Sequence, residues 1–139
     1  MVYQTVGKAF KLETETNSLQ DLMALARRGL AKKAIDSLAQ VLDISSKELI
    51  QYLNISELTL QRYDDDKILP KEVSSNLIQI AKIYALALDI FDDKETAIAW
   101  LKHPNQALGG ITPLSCLDNP FGAEFVADIL RRVYYGIFA

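Results

Sequence analysis

Apolar residues recur every three or four positions along nearly the whole chain, and the period-two alternation of a half-buried strand is almost absent. A chain patterned this way can hide its apolar side only by packing helix against helix, so the expected fold class is all-α. The longest such run, Val73, Leu77, Ile80, Tyr84, Ala87 and Phe91, reads as a spine helix. With 139 residues, half of them hydrophobic, the chain can close a core without disulfide or metal staples and is too apolar for a disordered class. The single cysteine, Cys116, cannot pair internally, which points to a reducing compartment. Residues 1–10 lack the apolar core of a signal peptide, and no uninterrupted apolar run approaches the roughly 18 residues of a membrane span. A cytoplasmic protein with no membrane association is expected.

Local signals divide the pattern into elements. Asn17 and Ser18 can cap a first helix that places Leu19, Leu22, Met23 and Ala26 on one face and stops at Gly29, with Arg27 and Arg28 in its last turn. A second helix, Lys32 to Leu42, carries Ile35, Leu38, Ala39 and Leu42 inward and ends at Asp43. A third, short helix opens at Ser45 with Glu48 at capping-box spacing, and a fourth runs from Ser56 to about Tyr63. The acidic run Asp64 to Asp66 should lie in solvent. After the spine helix come a helix from Glu95 to His103, a Pro-Asn and Gly-Gly turn, a short helix from Thr112-Pro113, and a last helix from Gly122 to Tyr135. The expected organisation is an N-terminal extension and first helix over 1–28, a unit with the spine helix over 29–93, and a small helical unit over 94–139.

Residues 45–63 have the dimensions of a helix-turn-helix, with Asn54-Ile55-Ser56 as a turn calling for a residue tolerant of left-handed backbone. Leu49, Leu53, Ile55 and Leu60 would pack its two helices together. In the second of them Thr59, Gln61 and Arg62 are the candidate DNA-contacting groups, Gln61 suited to adenine and Arg62 to guanine or a phosphate. Charge weighs against strong binding. Between Val41 and Glu72 four basic residues face seven acidic ones, a net of −3, whereas a DNA face draws most of its affinity from neutralising phosphates. The one basic cluster, Arg27, Arg28, Lys32 and Lys33, lies outside that stretch. A plain helical hairpin with no nucleic-acid role fits the same residues.

Catalytic constellations fail to assemble. His103 is the only histidine, so a serine-type triad or a multi-histidine metal site cannot be built. Cys116, between Leu114 and Leu117, reads as a small buried hydrophobe. The carboxylates Asp92-Asp93 and Asp64 to Asp66 read as solvated charges, and Gly109-Gly110 as a turn. No enzyme activity, cofactor or metal is expected.

The most specific motif is C-terminal: Trp100, then Pro104-Asn105-Gln106-Ala107-Leu108-Gly109-Gly110, then Thr112-Pro113. Trp100 supplies an apolar anchor, Pro104 stops a helix, the glycines permit a turn that side chains would block, and Thr112-Pro113 restarts the chain as helix. This segment resembles the toxin-binding domain of the Xre/MbcA/ParS antitoxins, partners of RES-domain toxins. Upstream, Ser56-Glu57-Leu58-Thr59-Leu60-Gln61-Arg62 is similar to that family's Ser-x-x-Thr-Leu-x-Arg pattern, and Ser74, Ser75, Leu77 and Ala81 continue the likeness. The family often has arginine where this chain has Asn76.

The resemblance implies an Xre/Cro-like helix-turn-helix bundle joined by a long helix to a small toxin-binding domain. It implies a homodimer that neutralises a cognate RES-domain toxin by covering the cleft where NAD+ is degraded, and that represses its own operon by binding operator DNA. The toxin-binding residues expected are Arg131, Arg132, Tyr134, Tyr135 and Phe138, since aromatics and arginines are enriched at interface hot spots. Phe125, Val126, Ile129 and Val133, at helical spacing, are placed in the core. Two other readings fit: a stand-alone helix-turn-helix repressor whose C-terminal unit serves dimerisation, and a helical scaffold without a specific partner.

Overall fold

A computed structural model of the chain describes residues 1–136. Among them the order is α1 (Val2–Ala9), α2 (Leu19–Arg28), α3 (Lys33–Leu42), α4 (Ser46–Ile50), α5 (Glu57–Gln61), α6 (Lys71–Phe91), α7 (Lys94–Lys102), two 3-10 turns (Gln106–Leu108 and Leu114–Cys116), and α8 (Pro120–Gly136). The all-α expectation holds, and isolated bridges at Ala31–Ile68 and Asn105–Ile111 are the β-type pairings among the described residues.

The capping signals act as the side-chain chemistry requires. The hydroxyls of Ser18, Ser45 and Ser56 accept from the backbone N–H groups of Asp21, Glu48 and Thr59, and the Asp93 carboxylate does the same for Thr96. Gly29, with φ +83°, ends α2, and Asp43, in the left-handed region, ends α3. Asn54 departs from expectation. Positive φ among the described non-glycine residues is confined to Lys11, Asp43 and Asp92, so the turn between α4 and α5 needs no left-handed residue.

α6 organises the rest. Val73, Leu77, Ile80, Tyr84 and Ala87 are buried as the spacing predicts, and Ser74, Ile78, Ala81 and Ala85 extend the buried arc well beyond one stripe. α1, α2 and α3 lean on this helix from one side of the sequence, α7 and α8 from the other, and among the described residues all the buried apolar side chains but Ile129 join one continuous cluster. By length and composition α6 could cross a bilayer, yet more than half of its most apolar stretch is buried among the other helices. Its one fully buried polar side chain, Ser74, accepts a hydrogen bond from the backbone N–H of Leu30 at 2.9 Å, serving the chain just after the glycine stop.

Three further features differ from the sequence reading. α1 lies within the segment expected to be only an extension; it buries Val6, Ala9 and the following Phe10, makes extensive contact with α6, and is tied to the next loop by Thr16, whose hydroxyl accepts from Gly7 N–H and donates to the Tyr3 carbonyl. In α2 the inward residues are Leu22 and Leu25, whereas Leu19 and Met23 are exposed, because the helix meets α6 along one narrow edge. In α8 Val126 and Ile129 are buried as expected and Val133 is half-buried, but Phe125 faces solvent.

Gly122 marks the closest approach in the C-terminal unit: a β-carbon there would collide with the backbone carbonyl of Cys116. Gly122→Ala is expected to destabilise the protein by about 1–3 kcal/mol, the range for forcing an extra carbon into a packed site. Chemical denaturation followed by circular dichroism checks this, and an unchanged midpoint would contradict the packing described.

Candidate interaction surfaces

Ser56 fixes the start of α5 twice over, by capping Thr59 N–H and by donating its hydroxyl proton to the Thr59 hydroxyl. Leu60 is buried against the bundle, leaving Thr59, Gln61 and Arg62 exposed together with Leu58 at 64%. The turn preceding α5 is held from α6: Asn76 donates its amide to the Tyr52 carbonyl at 2.7 Å. Tyr52 in turn donates its hydroxyl to Glu48 at 3.1 Å; burial first and the Glu48 carboxylate second push its pKa up to about 12.

Two members of the basic cluster, Lys32 and Lys33, are brought to the end of α5. Lys32 Nζ donates to the Tyr63 carbonyl at 3.0 Å, Lys33 Nζ pairs with Asp66 at 3.1 Å, and Lys67 lies over the Tyr63 ring at 5.4 Å from its centroid. The backbone joins in, with Lys32 N–H donating to the Lys67 carbonyl and Lys33 N–H to that of Asp65. The acidic loop is exposed, as expected, and is stitched to the start of α3. Part of its negative charge is thereby offset locally, although an exposed pair of this kind is worth little in stability.

The C-terminal signature folds as a self-braced loop. Trp100 is half-buried with its ring 6.0 Å from that of Phe91. Asn105 closes the loop at three points: its N–H donates to the Ile111 carbonyl, its own carbonyl accepts from Gly110 N–H, and its side-chain oxygen accepts from Ala107 N–H. Gly109 and Gly110 adopt φ of +75° and +90°, conformations costly for a side-chain-bearing residue. Thr112 caps the following turn by accepting from Ser115 N–H, Pro113 is buried, and Pro104 is exposed directly after His103, where α7 ends. Cys116 is half-buried, and burial pushes its thiol pKa up, against a role as nucleophile.

Of the residues expected to meet a toxin, Arg131 is exposed and pairs with Asp128 within α8 at 3.2 Å, and Arg132 and Tyr135 are exposed. The rings of Tyr134 and Tyr135 meet edge to face at 5.2 Å. Phe138 lies outside the described residues. Phe125, which its helical spacing assigned to the core, is 46% exposed at the other end of α8, beside Phe121 at 81%.

Residues 86–136 match the family model described as the antitoxin Xre/MbcA/ParS C-terminal toxin-binding domain, and residues 21–82 match the antitoxin Xre-like helix-turn-helix domain. A curated relative, an antitoxin Xre of Yersinia enterocolitica, is 30% identical over 116 residues covering 81% of this chain and 78% of its own length. The chain belongs to the Xre/MbcA/ParS antitoxin family. Two further relatives are each 26% identical: a Prs ADP-ribosylating antitoxin of Sphingobium sp., over 86% of this chain and 81% of its own length, and an antitoxin Xre of Photorhabdus laumondii, over 84% and 80%. The two matched segments of the antitoxin meet inside α6, the helix on which both halves pack.

Because the folded-state pKa of Tyr52 lies above its ordinary value of about 10, its contribution to stability is complete below that pH and is lost as pH rises toward 12. Tyr52→Phe should therefore shift alkaline unfolding upward, and ultraviolet titration should show the latest-ionising tyrosine signal reduced. If the variant instead loses a tyrosine ionising near the ordinary value of about 10 and unfolds at the same alkaline pH as the wild type, the buried setting described for Tyr52 is wrong.

Proposed function

We propose that this antitoxin neutralises a RES-domain toxin that degrades NAD+, acting stoichiometrically by covering the toxin's active-site cleft rather than by catalysis. The observation that carries the reading is the end of α8 within the matched toxin-binding domain: Arg131, Arg132 and Tyr135 stand outside the core, and the apolar residues Ile137, Phe138 and Ala139 follow in the sequence. Arginines suit the polar groups with which such a cleft holds a phosphate-bearing substrate, and aromatics suit its walls. The Sphingobium relative carries the name Prs ADP-ribosylating antitoxin, and ADP-ribosylation is a reaction that consumes NAD+.

Deleting residues 136–139 is expected to weaken the toxin complex by about 2 kcal/mol or more, the range for one hot-spot anchor, while the helical content stays intact. Rescue of toxin-poisoned cells on co-expression, with pull-down of the toxin, reads this out. Undiminished binding and rescue would move the neutralising contact to the Trp100–Thr112 region.

A second activity, operator binding by a homodimer that represses its own operon, is favoured by the placement of Lys32 and Lys33 beside the end of α5. The acidic residues nearby keep it weak and steeply dependent on salt. We expect an affinity poorer than about 10 nM at physiological salt, below that of good specific binders, and loss of most of it in Arg62→Ala. Electrophoretic mobility shift over a salt series measures both, and wild-type affinity in Arg62→Ala would remove α5 from the recognition role.

A further inference from the structure

α8 has two faces of opposite character along its whole length. Ala123, Val126, Ala127 and Leu130 are buried. Phe121, Phe125, Asp128, Arg132 and Tyr135 fall within an arc of about 80° on the far side, counting 3.6 residues per turn, and none of them is buried. The stripe spans about 21 Å at 1.5 Å per residue. Its first member, Phe121, is 81% exposed and sits one turn from Phe125 at 46%. Neither ring is needed to close the core, and exposed aromatics side by side on a helix mark an interaction site more often than chance.

We propose that the toxin is seated along this entire stripe, with Phe121 and Phe125 as anchors at the end of α8 remote from the tail. The inference rests on the antitoxin reading above and extends its contact from the last turns of the helix to the first. α8 is the longest element of the matched toxin-binding domain, and with its other face committed to the core this stripe is what the helix can offer a partner. The stripe's make-up points to a separate protein rather than a second copy. Two aromatics, then Asp128 and Arg132, then Tyr135 resemble the mixed surface of a non-obligate complex, whereas homodimer interfaces are more uniformly apolar. At its start the stripe adjoins a groove of about 920 Å³ whose walls include Asn119 and Pro120 from the approach to α8, Asn76 and Gln79 from α6, and Gln51 and Asn54 from the helix-turn-helix. A partner resting on Phe121 therefore has the side-chain amides of Gln51, Asn54 and Gln79 nearby to meet its own polar groups. The partner surface that fits carries an apolar pocket for two phenyl rings and, about two turns along, a carboxylate for Arg132.

The test uses the full chain and the purified protein encoded beside its gene, with binding measured by titration calorimetry and self-association by sedimentation. Phe121→Ser/Phe125→Ser should retain wild-type circular dichroism and lose at least tenfold in affinity. Phe121→Ser alone, at the more exposed position, should lose severalfold and keeps the test readable if the double variant loses helicity. Wild-type affinity in a folded double variant overturns the proposed surface alone. A double variant that loses self-association while binding the partner normally assigns the stripe to a second copy and also overturns it. A wild-type chain that leaves the partner unbound overturns the antitoxin reading itself, and the surface with it.

Discussion

Burial of α6 is the interaction on which everything else in this antitoxin depends. Its 21 residues carry apolar side chains on more than one stripe, so it is covered by α1, α2 and α3 as well as by α7 and α8. All of those helices except the longer α8 are too short to persist alone in water, and each gains stability by laying one apolar edge on the shared helix. The polar ties follow the same plan. Ser74 satisfies Leu30 and Asn76 satisfies Tyr52, so α6 holds both the exit from α2 and the turn that sets the angle of α5.

Much of this was legible in the sequence because period and capping report local physics. The spine helix, the serine caps at Ser18, Ser45 and Ser56, the glycine stop at Gly29 and the turn at Gly109-Gly110 all follow from groups within a few residues of each other. What escaped depends on contacts distant in the chain. Val2, Val6, Ala9 and Phe10 have helical spacing, but nothing near them shows that α6 needs covering there. Leu19 and Met23 share α2's apolar side yet miss the narrow line of contact, and Phe125 lies one step round the helix from Val126 and looks outward. Periodicity tells that a face is apolar and leaves open whether the fold or a partner covers it.

Charge read along the chain also differs from charge arranged in space. Residues 41–72 are acidic by count, yet the fold sets Lys32 and Lys33 against the loop that carries Asp64 to Asp66. The surface beside α5 is therefore a mosaic of both signs. The family signature in the C-terminal unit was the more specific guide, because its glycines, Asn105 and Thr112 each answer a backbone requirement that few other residues meet.

The two matched domains of the antitoxin share one structural fate. A chain cut within α6 would leave α1 to α5 without the helix that closes them and α7 and α8 without the floor on which they rest. Neither fragment would keep a closed core, so both would expose leucines and isoleucines to proteases and to aggregation. Damage to that single helix therefore removes the packing beneath the helix-turn-helix domain and the toxin-binding domain in the same event.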